Sequence, residues 1–191
     1  MKVQWIAGIV VNAWTGNVYV DGSGKSRLWS RDLTRPWTRC GWGAVMRVRG
    51  AWRGVCGSLP QEPKVLGEQS VPRAGLFAIC YVLEVAILPI TIWTDHKNHK
   101  DAFTKGKAYC TRWDAPHLDL WTRIWFLVED LGGLGENLQV RWTPAHKRAT
   151  VDEEWWQAEV RKGNAKADEA ANQGRELHEV PVSLLGGMKG L

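Results

Sequence analysis

The hydrophobic pattern first alternates in short β-type runs and then shifts to helical spacing. Val18-Tyr19-Val20 is a β-favouring run that ends on Asp21 and breaks into Gly22-Ser23-Gly24-Lys25, which predicts a buried strand over about 17–21 with Asp21 at its mouth. Residues 41–48 and 51–59, on either side of Gly50, read as two further strands, giving an antiparallel meander of three. A basic, proline-containing excursion at 28–39 separates the first two, and a loop at 60–67 ends this part of the chain. Behind Pro72, a residue suited to a first helical turn, Ala74, Ala78, Tyr81, Val82 and Val85 follow helical spacing, with Pro89 closing the helix. Residues 90–95 form a second β-rich run ending on a carboxylate, Asp95. A short helix around 97–103, a basic loop and an apolar helix over about 117–131 follow, the last stopped by Gly132-Gly133. Residues 138–143 supply a last strand and 165–174 a last helix, with 1–16 read as a flank and 176–191 as a tail.

Composition narrows the class without naming a function. The 191 residues suit one domain, here 17–175, and 45% hydrophobic with 24% charged residues is globular composition. A net charge of +5 suits a polyanionic partner. Cys40, Cys56, Cys80 and Cys110 are widely spaced, with no Cys-x-x-Cys pair, so buried free thiols in a reducing compartment are expected rather than structural zinc. The apolar run at 5–11 is too short to span a bilayer. A soluble protein of the nucleus or cytoplasm is therefore expected. Most of the thirteen tryptophans are assigned to the core.

Six landmarks occur in a recognisable order: Asp21-Gly22-Ser23, the Pro72-Arg73-Ala74-x-Leu76-x-Ala78 helix start, Thr94-Asp95, Asp119-Leu120-Trp121, His146, and Gly163-Asn164-x-x-Ala167-Asp168. Together they resemble ribonuclease H of type 1 over about 17–175, a domain that also occurs in retroelement polyproteins. The resemblance implies an α/β fold: a five-stranded mixed sheet, three antiparallel strands then two parallel, flanked by helices. It implies metal-dependent hydrolysis of the RNA strand of RNA/DNA hybrids, by a monomer or part of a larger polyprotein. Such chemistry uses two magnesium ions roughly 3.5–4 Å apart, manganese being an alternative, held by a carboxylate cluster. Carried over by motif, Asp21 would bridge the two ions, Asp95 would complete the ion that activates water, and Asp168 would help hold the ion at the leaving group. His146, on a mobile loop, would assist proton transfer or product release. Ser23, Lys97, Lys100, Lys105 and Asn164 would contact nucleic acid, and Lys107 and Arg112 extend that basic cluster.

Two departures stand out. The residue after Arg73-Ala74 is normally Glu in the family and here is Gly75, so the fourth carboxylate is missing. Glycine also costs a helix roughly 1 kcal/mol relative to alanine. The stretch at about 151–162 reads as an insertion where the family has a short loop, which would displace His146. A weakened hybrid nuclease is the first expectation, and an inactive remnant that still binds nucleic acid is the second. Gly22-Ser23-Gly24-Lys25-Ser26 resembles the end of a phosphate-binding loop, but Tyr19 stands where the first glycine of that motif belongs, so Gly22 and Gly24 are read as hairpin turn residues. His96 and His99 are read as exposed polar residues opening a short helix, with no third metal ligand.

Overall fold

The computed structural model describes residues 2–27, 37–60 and 69–177. The excursion at 28–36, the loop at 61–68 and residues 178–191 of the tail lie outside the described residues. Six strands, β1 (Val3–Trp5), β2 (Trp14–Arg27), β3 (Trp37–Val48), β4 (Ala51–Ser58), β5 (Ala86–Thr94) and β6 (Leu138–Trp142), form one mixed sheet in the order β1-β4-β3-β2-β5-β6. The β2–β3–β4 meander is antiparallel, and β5 and β6 add in parallel beside β2. The five expected strands are present in that arrangement. The sixth comes from the stretch read as a flank, where Val3, Gln4 and Trp5 pair antiparallel with Gly57, Cys56 and Val55.

Among the described residues five α-helices accompany the sheet: α1 (Val71–Glu84), α2 (Lys97–Lys105), α3 (Lys107–Cys110), α4 (Leu118–Asp130) and α5 (Trp155–Glu176). Alternation along β2 separates two cores. Val18 and Val20 pack with Ala74, Ile79, Val82, Ile92 and Ile124, while Tyr19 packs with Val45, Cys56, Val160, Ala167 and Ala170 toward α5. Each such buried aliphatic side chain contributes about 1.5–3 kcal/mol.

β2 does not end at Asp21. Gly22 and Gly24 are strand residues paired with Trp42 and Cys40, not turn residues. The physical reason is the approach of α1: a Cβ on Gly22 would stand 2.6 Å from both the Gly75 nitrogen and the Val71 oxygen. On the other face, a Cβ on Gly43 would stand 2.6 Å from the Ala170 Cβ and the Ala171 nitrogen of α5. Helices therefore seat directly on backbone on both sides of the β2–β3 pair.

α1 begins at the Ser70 cap, whose Oγ accepts from the Arg73 nitrogen at 3.3 Å, with Pro72 in the first turn. It ends at Glu84, and Pro89 falls inside β5 rather than closing the helix. The register between β2 and β5 slips between Trp14 and Gly16, so the proline sits at an irregularity where no ladder donor is needed. Arg73, 2% exposed, donates from Nη1 and Nη2 to both carboxylate oxygens of Asp119 at 2.9 and 2.5 Å and ties α1 to α4. α5 starts ten residues earlier than expected, so most of the expected insertion is its first two turns. A capping box starts it, in which the Glu154 nitrogen donates to Gln157 Oε1 at 3.2 Å. All four cysteines are buried and none is joined in a disulfide. Among the described residues no helix is long and apolar enough to cross a membrane.

Candidate active site

Three of the predicted acids meet. Pairing of Val20 with Thr94 brings Asp21 and Asp95 level on neighbouring strands, and α5 carries Asp168 across the same face of β2. Asp21 is 8% exposed. Burial first, then the neighbouring Asp95 and Asp168 carboxylates, push its pKa up from 3.8 to about 8, against the pull of the Gly22 N–H that donates to its Oδ1 at 2.7 Å. Asp95, just past β5, is half-buried, and its backbone oxygen accepts from Trp142 Nε1 at 2.9 Å.

Asp168 is held by a side-chain chain of hydrogen bonds. Its Oδ1 accepts from Asn172 Nδ2 at 3.1 Å. Asn172 Oδ1 accepts from Ser23 Oγ at 2.6 Å and from Arg175 Nη1 at 2.9 Å, and Arg175 Nη1 also donates to Ser23 Oγ at 2.8 Å. Ser23 is thus engaged inside the protein, 7% exposed. Asn164, also predicted to contact nucleic acid, is 5% exposed with its Oδ1 unpartnered.

Position 75 lies beside this group. A Cβ on Gly75 would stand 4.0 Å from the Gly22 nitrogen and 2.9 Å from His99 Cε1. His99 therefore occupies the space into which a side chain at 75 would grow. The expectation that His99 is exposed fails, because α2 turns it inward against Trp121, ring to ring at 6.4 Å, leaving it 4% exposed. Neither of its ring nitrogens has a hydrogen-bond partner of good geometry, although the Pro72 backbone lies near enough to favour its protonated form. Burial, then His96 and His117, hold its pKa well below the ordinary value. His96 stacks on it at 4.1 Å and is itself shifted down by burial. His146 is exposed, at φ 50°, between β6 and α5.

The basic cluster is partly neutralised. Lys107 pairs with Glu129 at 2.8 Å and Arg112 with Asp114 at 2.9 Å, Lys100 lies 3.9 Å from Asp101, and Lys97 is exposed. Lys105 and Arg112 each sit 4.3 Å from the Tyr109 ring, on the rim of a cleft of about 430 Å³ that His96 and His99 also line. Asn172, Arg175 and Tyr109 were missed by the sequence reading. The spacing of Asn172 and Arg175, four and seven residues after Asp168, was the available signal.

As a metal site, the donors are all carboxylate oxygens, which suits a hard divalent cation. Burial first and the Asp95 charge second disfavour the Asp21 carboxylate, and a cation held by these residues would offset both. Among the described residues, however, no three His, Cys, Asp or Glu side chains stand ready at metal-holding distances. The donor set suits a hard cation, but it does not stand as a preformed cage.

No family model matches the chain, and no curated protein matches it in sequence. Solved structures do match. The native prototype foamy virus protease–reverse transcriptase superposes with a TM-score of 0.61 at 18% identity over 86% of this chain, and this chain spans only 21% of that one. The solution structure of the prototype foamy virus RNase H domain gives 0.56 at 20% identity, over 85% of this chain and 94% of that domain. A foamy viral protease–reverse transcriptase in complex with RNA/DNA hybrid gives 0.54 at 14% identity, over 83% of this chain and 20% of that one. The chain has the ribonuclease H fold.

Proposed function

We propose that this chain is a nuclease that hydrolyses the RNA strand of RNA/DNA hybrids with a divalent cation, magnesium or manganese. The observation that carries the reading is the approach of Asp21, Asp95 and Asp168 from β2, the end of β5 and α5, where Asp21 is buried and the other two carboxylates act on it. The foamy viral protein of the same fold held with an RNA/DNA hybrid supports the substrate class and a retroelement-type domain. Asp21 and Asp95 would hold the cation and Asp168 would complete its shell. When bound, the cation supplies an activated water and offsets charge on the phosphate.

The protein's own groups do the rest. Asp21 and Asp95 fix the polar face of the β2–β5 pair toward the backbone to be cut. His146, exposed on its turn, is placed to carry a proton or ease product departure. Lys97, Lys100 and Lys105 offer phosphate contacts, so hybrid binding weakens as salt rises. The glycine at 75 removes one carboxylate and leaves activity weakened.

A second reading, a hybrid-binding remnant without hydrolysis, is favoured by one observation: His99 fills the room that a restored carboxylate at 75 would need. Incubating the protein with labelled RNA/DNA hybrid, double-stranded DNA and double-stranded RNA in magnesium and in manganese separates the two. Loss of the RNA strand of the hybrid alone supports the nuclease. Hybrid retention with no cutting in either metal supports the remnant, and neither binding nor cutting refutes both.

A further inference from the structure

Asp21 and Ser23 stand two residues apart on one face of β2, and opposite them α5 presents Asp168, Asn172 and Arg175 in one stripe. The hydrogen bonds between these rows have a direction. A guanidinium can only donate. Arg175 Nη1 gives one proton to Asn172 Oδ1 at 2.9 Å and one to Ser23 Oγ at 2.8 Å. The Ser23 hydroxyl, having accepted, passes its own proton to Asn172 Oδ1 at 2.6 Å. Two protons therefore converge on one oxygen, and the Asn172 amide cannot be turned over. Its nitrogen faces Asp168 Oδ1 at 3.1 Å and must donate there.

Resting on the nuclease reading, we infer that Arg175, Ser23 and Asn172 are positioning residues that hold Asp168 by one oxygen, Oδ1, and leave the other as its contribution to the cation. Arg175 sets the polarity because it is the member that cannot accept. The grouping is costly as mere packing, since polar groups partly withdrawn from water gain little over apolar contacts of the same shape. Its value lies in orienting a carboxylate that, with glycine at 75, has no fourth acid to share the task. Serine at 23 is then a link in this relay and not a free contact for nucleic acid.

Two measurements on the full chain test it. In the metal-free protein, nitrogen-15 spectra should show the Asn172 side-chain amide protons distinct and slow to exchange. Ser23→Ala and Arg175→Ala should speed that exchange about tenfold or more, and Arg175→Lys should restore part of it. An amide unchanged in both alanine variants overturns the relay. Manganese titration by calorimetry should then show Asn172→Ala binding about 10–100-fold more weakly, with cleavage recovered at saturating metal. Unchanged manganese affinity in Asn172→Ala would overturn the inference, and a raised KM for hybrid beside it would show that Asn172 touches substrate instead. Absence of any manganese site in the unaltered protein would refute the nuclease reading and the cation half of this inference, while the amide exchange still decides the relay itself.

Discussion

Asp21→Asn should make the metal-free protein more stable at neutral and alkaline pH. The Asp21 carboxyl, 8% exposed beside Asp95, titrates near 8 in the folded chain against 3.8 for the free group. An acid with a raised folded pKa takes up a proton on folding between its unfolded and folded pKa values. Its contribution is therefore complete below the unfolded value and is lost as pH climbs from about 4 to about 8. Each unit of difference is worth about 1.4 kcal/mol, so roughly three units of the window at pH 7 set a ceiling of about 4 kcal/mol. Water entry and side-chain movement lower this to an expected 1–3 kcal/mol, or about 2–10 °C in Tm for a chain of this size. Asparagine keeps an oxygen for the Gly22 N–H and gains a donor toward Asp95, so it loses the charge without losing the hydrogen bond at 2.7 Å. Urea unfolding followed by tryptophan fluorescence, in chelator at about pH 4, 6 and 8, measures the difference between the two proteins. The gap should be near zero at the acid end and open steadily above it. Magnesium should close the gap by stabilising only the unaltered protein. A variant less stable at about pH 8, or a gap independent of pH, would refute the burial and neighbouring charge that raise the Asp21 pKa.

Gly75→Glu alone should cost about 1–3 kcal/mol by overpacking, because its Cβ would stand 2.9 Å from His99 Cε1, whereas Gly75→Glu with His99→Ala should recover stability and cut hybrid faster in magnesium. A thermal-unfolding double-mutant cycle checks the first part and a cleavage assay the second, and additive effects would show that the two positions do not compete for space. Asp119→Ala strands the buried Arg73 guanidinium and should cost about 2–3 kcal/mol in urea unfolding, the low end for a buried pair because Asp119 itself is 48% exposed. Since Arg73 holds the Asp119 carboxyl below its ordinary value, that contribution is present above about pH 4 and fades as pH falls further. Gly43→Val should lift α5 from the sheet and cost about 3 kcal/mol or more, read as a fall in Tm, because its Cβ would press on the Ala170 Cβ and the Ala171 nitrogen at 2.6 Å.

Much of this molecule is legible in its sequence because alternation and helical spacing carry the cores. The β3–β4 hairpin, α1, α4 and the places of Asp21 and Asp95 at strand ends follow from such patterns, while the pairing of those two strands is what the resemblance implies. Several departures share a cause: glycine and polar residues read as breaks where packing against another element explains them. Gly22 and Gly24 looked like a turn, yet they are strand residues cleared for α1. Gly163-Asn164 looked like the start of a helix, yet Gly163 is mid-helix where the Tyr19 ring lies against α5. The burial of His99 was invisible because α2 is polar overall, and only the docking of α2 against α1 and α4 shows which face turns inward. β1, three residues long, is too short for alternation to announce. Asn172 and Arg175 gain meaning only once the face of Ser23 is known.

The most direct test of the central claim is single-turnover cleavage of a hybrid labelled on each strand in turn, comparing the unaltered protein with Asp95→Asn in manganese. Cutting of the RNA strand alone, lost on Asp95→Asn while hybrid binding persists, is the predicted result. Equal cutting by both proteins would place the chemistry elsewhere and contradict the account.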